Sequence, residues 1–349
     1  MEFKIGQHTL GKNHKPFIIA ELSGNHNQSL DRALEIVKAA SDSGAHALKL
    51  QTYTADTITI DHRGGLFDIT DENSLWHGKN LYELYEEAHT PWDWHKEIFD
   101  YANSLGMEAF SSPFDETAVD FLEDLNVPAY KIASFESNHH PLLKKVASTG
   151  KPVIISSGAS KIDDLQESVE VLRSSGCKHI TVLKCTSTYP ANPENSNIVT
   201  IPEFQKYFPE DLIGLSDHTM GIGVSVASVA LGARVVEKHF TLRRADGGVD
   251  SAFSLEPEEM KSLVTETERA FLALGHVQLD TQKSEIASLR YKRSIYITKD
   301  IKQGELLSPE NTRIIRPGDG LAPKYMTEII GKPAKQNLSK GTPLKREYI

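Results

Sequence analysis

The sequence predicts a (β/α)8 barrel followed by a small C-terminal β-rich domain. Three observations predict it: eight short apolar runs recur between residues 17 and 238, helical repeats stand between them, and after residue 290 the texture changes to short β runs broken by glycine and proline turns. Strands alternating with helices form parallel βαβ units, and eight such units close a barrel. The alternative is an open doubly wound sheet. No Gly-x-Gly-x-x-Gly follows the first run, which removes the simplest dinucleotide-binding version of that sheet.

Phe3–Leu10 reads as a β-hairpin that plugs the lower end of the barrel. Phe17–Leu22 is the first barrel strand. Leu30, Ala33, Leu34 and Val37 then recur at helical spacing behind a cap at Ser29. Ala47–Gln51 is the second strand. Residues 55–88 form a long insertion carrying Asp61-His62-Arg63-Gly64-Gly65 and two aromatic-rich stretches, and loops of that length are usually functional. Glu108–Ser111, Ala129–Ile132, Val153–Ser156, Thr181–Lys184, Leu212–Leu215 and Val235–Lys238 complete the eight strands. Val119, Leu122 and Leu125 mark a helix before Pro128, and Leu165, Val169 and Leu172 mark one before Gly176. A helix from Glu256 to about Leu274 closes the eighth unit. The expected division is a barrel domain over 1–280, a polar linker over 281–290 and a β-rich domain over 291–349.

Composition bounds the function. With 48 acidic and 38 basic residues, the net charge of -10 excludes nonspecific nucleic-acid binding, which needs a basic surface. A few local lysines can still hold an anionic small molecule. The longest weakly polar run, Met220 to Ala233, is too short for a membrane span, and Met1-Glu2-Phe3-Lys4 has no signal-peptide apolar core. Only Cys177 and Cys185 are present, so a reduced, cytoplasmic setting is expected.

Catalytic groups of such a barrel lie at the C-terminal ends of its strands. Polar residues fall there in strand after strand: Glu21 with Asn25 and His26; Lys49 and Gln51; Ser111 and Ser112; Lys131, Ser134 and Glu136; Ser156, Ser157 and Gly158; Lys184, Ser187 and Tyr189; Ser216, Asp217 and His218; Glu237, Lys238 and His239. Residues 21, 49, 131, 237 and 238 are charges inside apolar runs. Burying a charge costs several kcal/mol unless it meets a partner or ligand, so their repetition at one end points to an anion site. His218 and His239 come from adjacent strands and can face one divalent ion. Two histidines without a cysteine cluster suit an open octahedral site completed by water and substrate oxygen, hence Mn2+, with Mg2+ and Co2+ as alternatives. Such an ion acts as a Lewis acid on a carbonyl. Among the other histidines, His139 and His140 read as surface loop, His62 and His77 lie in the insertion, and His26 reads as a helix cap. Cys185 reads as a small buried residue without activation.

These motifs resemble the sialic acid synthase family. The resemblance rests on Ala20-Glu21-Leu22-Ser23-Gly24-Asn25-His26-Asn27, Lys49-Leu50-Gln51-Thr52, Ser112-Pro113-Phe114, Tyr130-Lys131-Ile132-Ala133-Ser134 and Gly214-Leu215-Ser216-Asp217-His218-Thr219. Glu237-Lys238-His239-Phe240 and Arg316-Pro317-Gly318-Asp319-Gly320 extend it over nearly the whole chain. The wording Glu-Leu-Ser-Gly-Asn-His-Asn, and Ser187 where neuraminate synthases usually carry Asn, resemble the pseudaminic acid synthase branch. The resemblance implies a TIM barrel joined to an antifreeze-like (SAF) domain in a domain-swapped homodimer. It implies condensation of phosphoenolpyruvate with 2,4-diacetamido-2,4,6-trideoxy-L-altrose, giving phosphate and a nine-carbon 2-keto acid. Under it, His218 and His239 hold the metal; Lys49, Lys131, Ser134, Ser156, Ser187 and Ser216 hold phosphate and carboxylate; Glu21, Glu136 and Glu237 are the acid–base candidates. Gln51, Tyr189 and Asp250 contact sugar or metal-bound water, and Arg316 reaches the sugar's acetamido group in the partner's barrel. The rival readings are an N-acetylneuraminate or legionaminate synthase, a metal-dependent aldolase or isomerase on the same barrel, and a noncatalytic carbohydrate binder.

Overall fold

A computed structural model describes residues 2–72 and 74–349. The chain divides into two compact units, Met1–Gly275 and His276–Ile349. The division falls somewhat earlier than residue 280, because the last barrel helix ends at Leu274 and Gly275 turns the chain with φ of +49°.

The first unit opens with an antiparallel hairpin, β1 (Glu2–Ile5) and β2 (His8–Gly11). Eight parallel strands follow: β3 (Phe17–Glu21), β4 (Ala47–Thr52), β5 (Glu108–Pro113), β6 (Tyr130–Ile132), β7 (Val153–Ser156), β8 (Ile180–Cys185), β9 (Leu212–Ser216) and β10 (Val235–His239). They close into a barrel in chain order, with β10 paired to β3. These strands are almost wholly buried because the helices cover their outer face and side chains fill the inside, which is why they read as continuous apolar runs. The helix over Leu30–Asp42 starts where the spacing predicts, with Ser29 Oγ accepting from the Arg32 amide. His26 is not the cap; it lies in the 3-10 turn before Ser29, and its Nδ1 accepts from the Gln28 amide.

The hairpin covers the N-terminal end of the barrel. Phe3 stacks on His179, which precedes β8, at 5.0 Å between ring centroids. The Gln7 amide donates to Glu108 Oε1 at 2.7 Å, and Glu108 is the first residue of β5. Ile5 between them is fully buried.

The second unit pairs β11 (Ser294–Ile297) with β12 (Thr312–Ile315) antiparallel, around a core of Ile295, Ile297, Ile301, Leu307, Ile329, Ala334, Leu338 and Leu344. The stretch read as a plain linker contains a 3-10 helix over Lys283–Tyr291, none of it buried. Among the described residues, no helix is long and apolar enough to cross a membrane.

Three histidines tie the barrel's stability to pH. The Nδ1 atoms of His26 and His46 accept from the backbone amides of Gln28 and Ile18, and His95 bridges Pro91 O and Thr52 Oγ1. A protonated ring would set one donor against another at the two amides. Burial is the main cause that lowers the pKa of all three, to about 4. The native rings are therefore neutral between pH 6.5 and 4 while unfolded histidines bind protons. Stability is fully present above pH 6.5 and is lost as pH falls toward 4, by up to roughly 3 kcal/mol for each of the fully buried His26 and His95. Half-buried His46 contributes less. The urea midpoint is expected to fall over this window, and His46→Asn, which keeps an acceptor for the Ile18 amide, to flatten the slope. An unchanged slope in the variant removes His46 from this account.

Candidate active site

Side chains alternate along a strand, so the inward set of β10 is Glu237 and His239 while Lys238 points the other way. Glu237 is the hub of the interior. Its Oε1 accepts from Lys131 Nζ at 2.7 Å and from Ser216 Oγ at 2.9 Å, and its Oε2 lies 3.7 Å from Lys49 Nζ. Lys49 is also ion-paired with Glu21, its register neighbour, and donates to Ser112 Oγ at 3.2 Å. Gln51 Nε2 donates to Glu21 Oε1 at 2.9 Å. Two lysines and two carboxylates thus share one water-poor chamber, and each charge is fixed by an opposite one. Burial pushes the Glu237 pKa up, but Lys131 and Lys49 outweigh it and hold the group below the usual carboxylate range. Burial raises Glu21, with Lys49 offsetting it only in part, so Glu21 is the more readily protonated of the two. Glu136, in a 3-10 turn after β6, is raised by burial to about 7, and its Oε2 has no hydrogen-bond partner among the described residues.

Beside the lysines lies a cradle of hydroxyls. Ser134 Oγ accepts from the Gly158 amide at 3.1 Å. Gly158 is required there: a Cβ would stand 2.0 Å from Ser187 Oγ and 2.6 Å from Ser134 Oγ. Ser156 Oγ is buried with no partner among the described residues, an unmet polar atom at the end of β7.

His218 and His239 bring their rings to 5.3 Å between centroids. The Nδ1 of His218 lies 3.1 Å from Thr186 O, which fixes that nitrogen as donor and leaves Nε2 free. His239 Nδ1 has no hydrogen-bond partner among the described residues and lies 3.7 Å from Asp250 Oδ2. Burial holds His239 well below its ordinary pKa, so the ring is neutral. Asp250 accepts from Ser23 Oγ, and burial raises it to about 6. Among the described residues no group of three or more His, Cys, Asp or Glu is arranged to hold a metal. The candidate protein donors are a histidine pair: burial holds His239 neutral, whereas at His218 burial pulls the pKa down but the neighbouring Cys185 outweighs it and raises it. A pair of imidazoles fits an open ion site completed by water and substrate but not a closed structural one.

Comparison with known proteins decides what this arrangement belongs to. A NeuB family model matches residues 36–279 and a SAF domain model residues 292–347. The chain belongs to the NeuB family. Relatives of this NeuB-family chain include the pseudaminic acid synthase of Campylobacter jejuni subsp. jejuni serotype O:2, 42% identical over 95% of this chain and 96% of that protein. The pseudaminic acid synthase of Helicobacter pylori is 41% identical, over 96% and 98%. Among solved structures, the N-acetylneuraminic acid synthetase of Leptospira borgpetersenii serovar Hardjo-bovis matches with a TM-score of 0.72 and 31% identity, over 83% of this chain and 96% of that one.

The NeuB-family barrel gathers Glu21, Lys49, Lys131, Ser216, Glu237, His218, His239, Ser134, Ser156, Ser187, Tyr189, Asp250, Gln51 and Glu136 at or next to the C-terminal ends of its strands. Arg316 lies in the second unit, exposed, directly after β12. Lys238, read as a site charge, belongs elsewhere, and Lys184, placed at the end of a strand, is held by its own loop. Lys238 is fully buried and bonds Asp217 Oδ2 at 3.1 Å, Thr219 O at 2.5 Å and Gly221 O at 2.8 Å, clamping the loop that carries His218. Lys184 donates to Thr186 Oγ1 at 2.6 Å and Cys185 O at 3.3 Å. Cys185 is buried beside the site, as read. Burial raises its pKa, but His218, 3.9 Å from Sγ, together with Ser134 and Ser187 brings the thiol down to about 6. The sequence reading missed Trp76 and Phe253, whose rings reach the site. Phe253 stands 4.9 Å from His239 and Trp76 5.9 Å from Tyr189.

Proposed function

We propose that the chain is a pseudaminic acid synthase, condensing phosphoenolpyruvate with 2,4-diacetamido-2,4,6-trideoxy-L-altrose and releasing phosphate. The observation that carries the chemistry is the meeting of two buried lysines, a hydroxyl cradle and a histidine pair at one end of one barrel. The identity to relatives named pseudaminic acid synthase supports the choice of sugar.

Lys49 and Lys131 face the phosphate and carboxylate of phosphoenolpyruvate, with Ser134, Ser156, Ser187 and Ser216 as directed donors. His218 and His239 would hold a divalent ion, Mn2+ in this reading, which would supply Lewis acidity toward the open-chain sugar's aldehyde. Gln51, Tyr189 and Asp250 position the sugar so that its C1 meets the methylene C3 of phosphoenolpyruvate. The C2–C3 double bond supplies the electron pair of the C1–C3 bond as the aldehyde C=O π bond opens and its oxygen takes a proton from Glu21. Water adds to the positive C2, and the tetrahedral intermediate collapses to the 2-keto group as its hydroxyl proton passes to the departing phosphate and the C2–O bond breaks. Glu136 takes the proton of that water in this reading, which its pKa, raised by burial to about 7, supports. Glu237 is the countercharge of the two lysines, which strip it of basicity, and Glu21 handles a proton near the sugar hydroxyls. Arg316 completes the site from the partner subunit of a domain-swapped homodimer, by contact with an acetamido group. The enzyme works in the cytoplasm, in keeping with two unpaired cysteines.

The test is phosphate release with a panel of sugars. We expect kcat/KM for the diacetamido sugar to exceed that for N-acetylmannosamine by at least ~10²-fold, because a site built for a second acetamido group leaves polar groups unmatched without it. Comparable values for the two sugars refute the substrate, and a preference for a legionaminate precursor moves the chain to that branch.

A further inference from the structure

Trp76 comes from the insertion between β4 and β5, remote in sequence from every strand-end residue of the site. Its indole lies 5.9 Å from the ring of Tyr189. Tyr189 in turn stands 4.6 Å from His218 and 5.5 Å from Phe253, and Phe253 stands 4.9 Å from His239. These rings form one aromatic wall running from the histidine pair out to the insertion. The one polar atom of the Trp76 ring is already engaged, since Nε1 donates to Val249 O at 3.0 Å, and Phe253 has none. What Trp76 and Phe253 offer a ligand is ring face. The hydroxyl cradle is built from the ends of β6 to β8, whereas Trp76 is anchored to the loop after β10.

We propose that Trp76 is a specificity-determining residue, packing against the deoxygenated C6 methyl of the sugar and discriminating against its 6-hydroxy counterpart. The inference rests on the substrate reading above. A sugar whose aldehyde carbon sits at the histidine pair runs its far end along this wall. A methyl group loses water there at a gain and packs against ring carbon. A hydroxyl set against the Trp76 face would lose its water and find no partner in that ring, whose nitrogen is occupied by Val249 O.

The experiment compares 2,4-diacetamido-2,4,6-trideoxy-L-altrose with the same sugar carrying a 6-hydroxyl, in phosphate-release assays on the full chain. The wild-type enzyme is expected to prefer the 6-deoxy sugar by about 10- to 10²-fold in kcat/KM, the range by which an apolar pocket discriminates against an added hydroxyl. Trp76→Ala is expected to reduce that preference below about threefold while KM for phosphoenolpyruvate stays within about twofold, since the anion cradle is untouched. Trp76→Gln, which keeps bulk and a donor toward Val249, serves where the alanine variant folds poorly and is expected to lose the preference as well. A preference that survives intact in both variants, or a wild-type enzyme indifferent to the 6-position, overturns the role of Trp76 and leaves the substrate reading standing. A wild-type enzyme that turns over neither sugar overturns the substrate reading and this inference with it.

Discussion

Lys131→Met is expected to lower kcat/KM for phosphate release by ~10³-fold or more, the scale on which removing a preorganised charge from a transition state is felt. Lys131 is buried and holds Glu237 at 2.7 Å. Its removal has two effects that must be separated. It takes a cation from the site, and it leaves Glu237 with Lys49 at 3.7 Å and Ser216 as its remaining partners. Breaking a buried pair on one side costs about 3–5 kcal/mol of stability. The double variant Lys131→Met/Glu237→Gln removes both charges and is expected to recover much of the urea midpoint without recovering turnover. If the double variant regains activity to within about tenfold of wild type, Lys131 serves the fold and not the reaction.

Exhaustive chelation is expected to abolish phosphate release, and Mn2+, Co2+ or Mg2+ to restore it. His218→Ala or His239→Ala is expected to lower activity by ~10²-fold or more, because a Lewis acid contributes several kcal/mol to the barrier. Bound metal measured by elemental mass spectrometry should fall in parallel, since each variant removes one of the two protein donors proposed for the ion. Full activity after exhaustive chelation would sink the metal role.

Much of the barrel and many of the site residues were legible because charge inside an apolar run is conspicuous. Glu21, Lys49, Lys131 and Glu237 each interrupt a strand that is otherwise hydrophobic, and the structure joins all four in one network. Lys238 was misplaced although a signal existed: if Glu237 and His239 both face inward, the residue between them faces outward. Trp76 was illegible for a different reason. The insertion has no periodicity that fixes which side chain returns to the site, and the bond from Trp76 to Val249 exists only after folding. The role of Gly158 is an absent Cβ facing two serines from other strands, and no local pattern displays that. Cys185 acquires its low pKa from His218, thirty-three positions later in the chain, so its neighbourhood exists only after folding.

The hairpin over the N-terminal end of the barrel separates the two ends of this unit by task. One end carries the reaction, and the other is closed by Phe3, Ile5 and the Gln7–Glu108 bond. Lys4, exposed on the hairpin's outer face, is therefore a natural handle for fixing the enzyme to a bead or electrode. A support attached there meets the closed end and aims the working ends of the strands away from the solid. Coupling through the insertion or the loop after β10 would instead press Trp76 and Asp250 against the matrix.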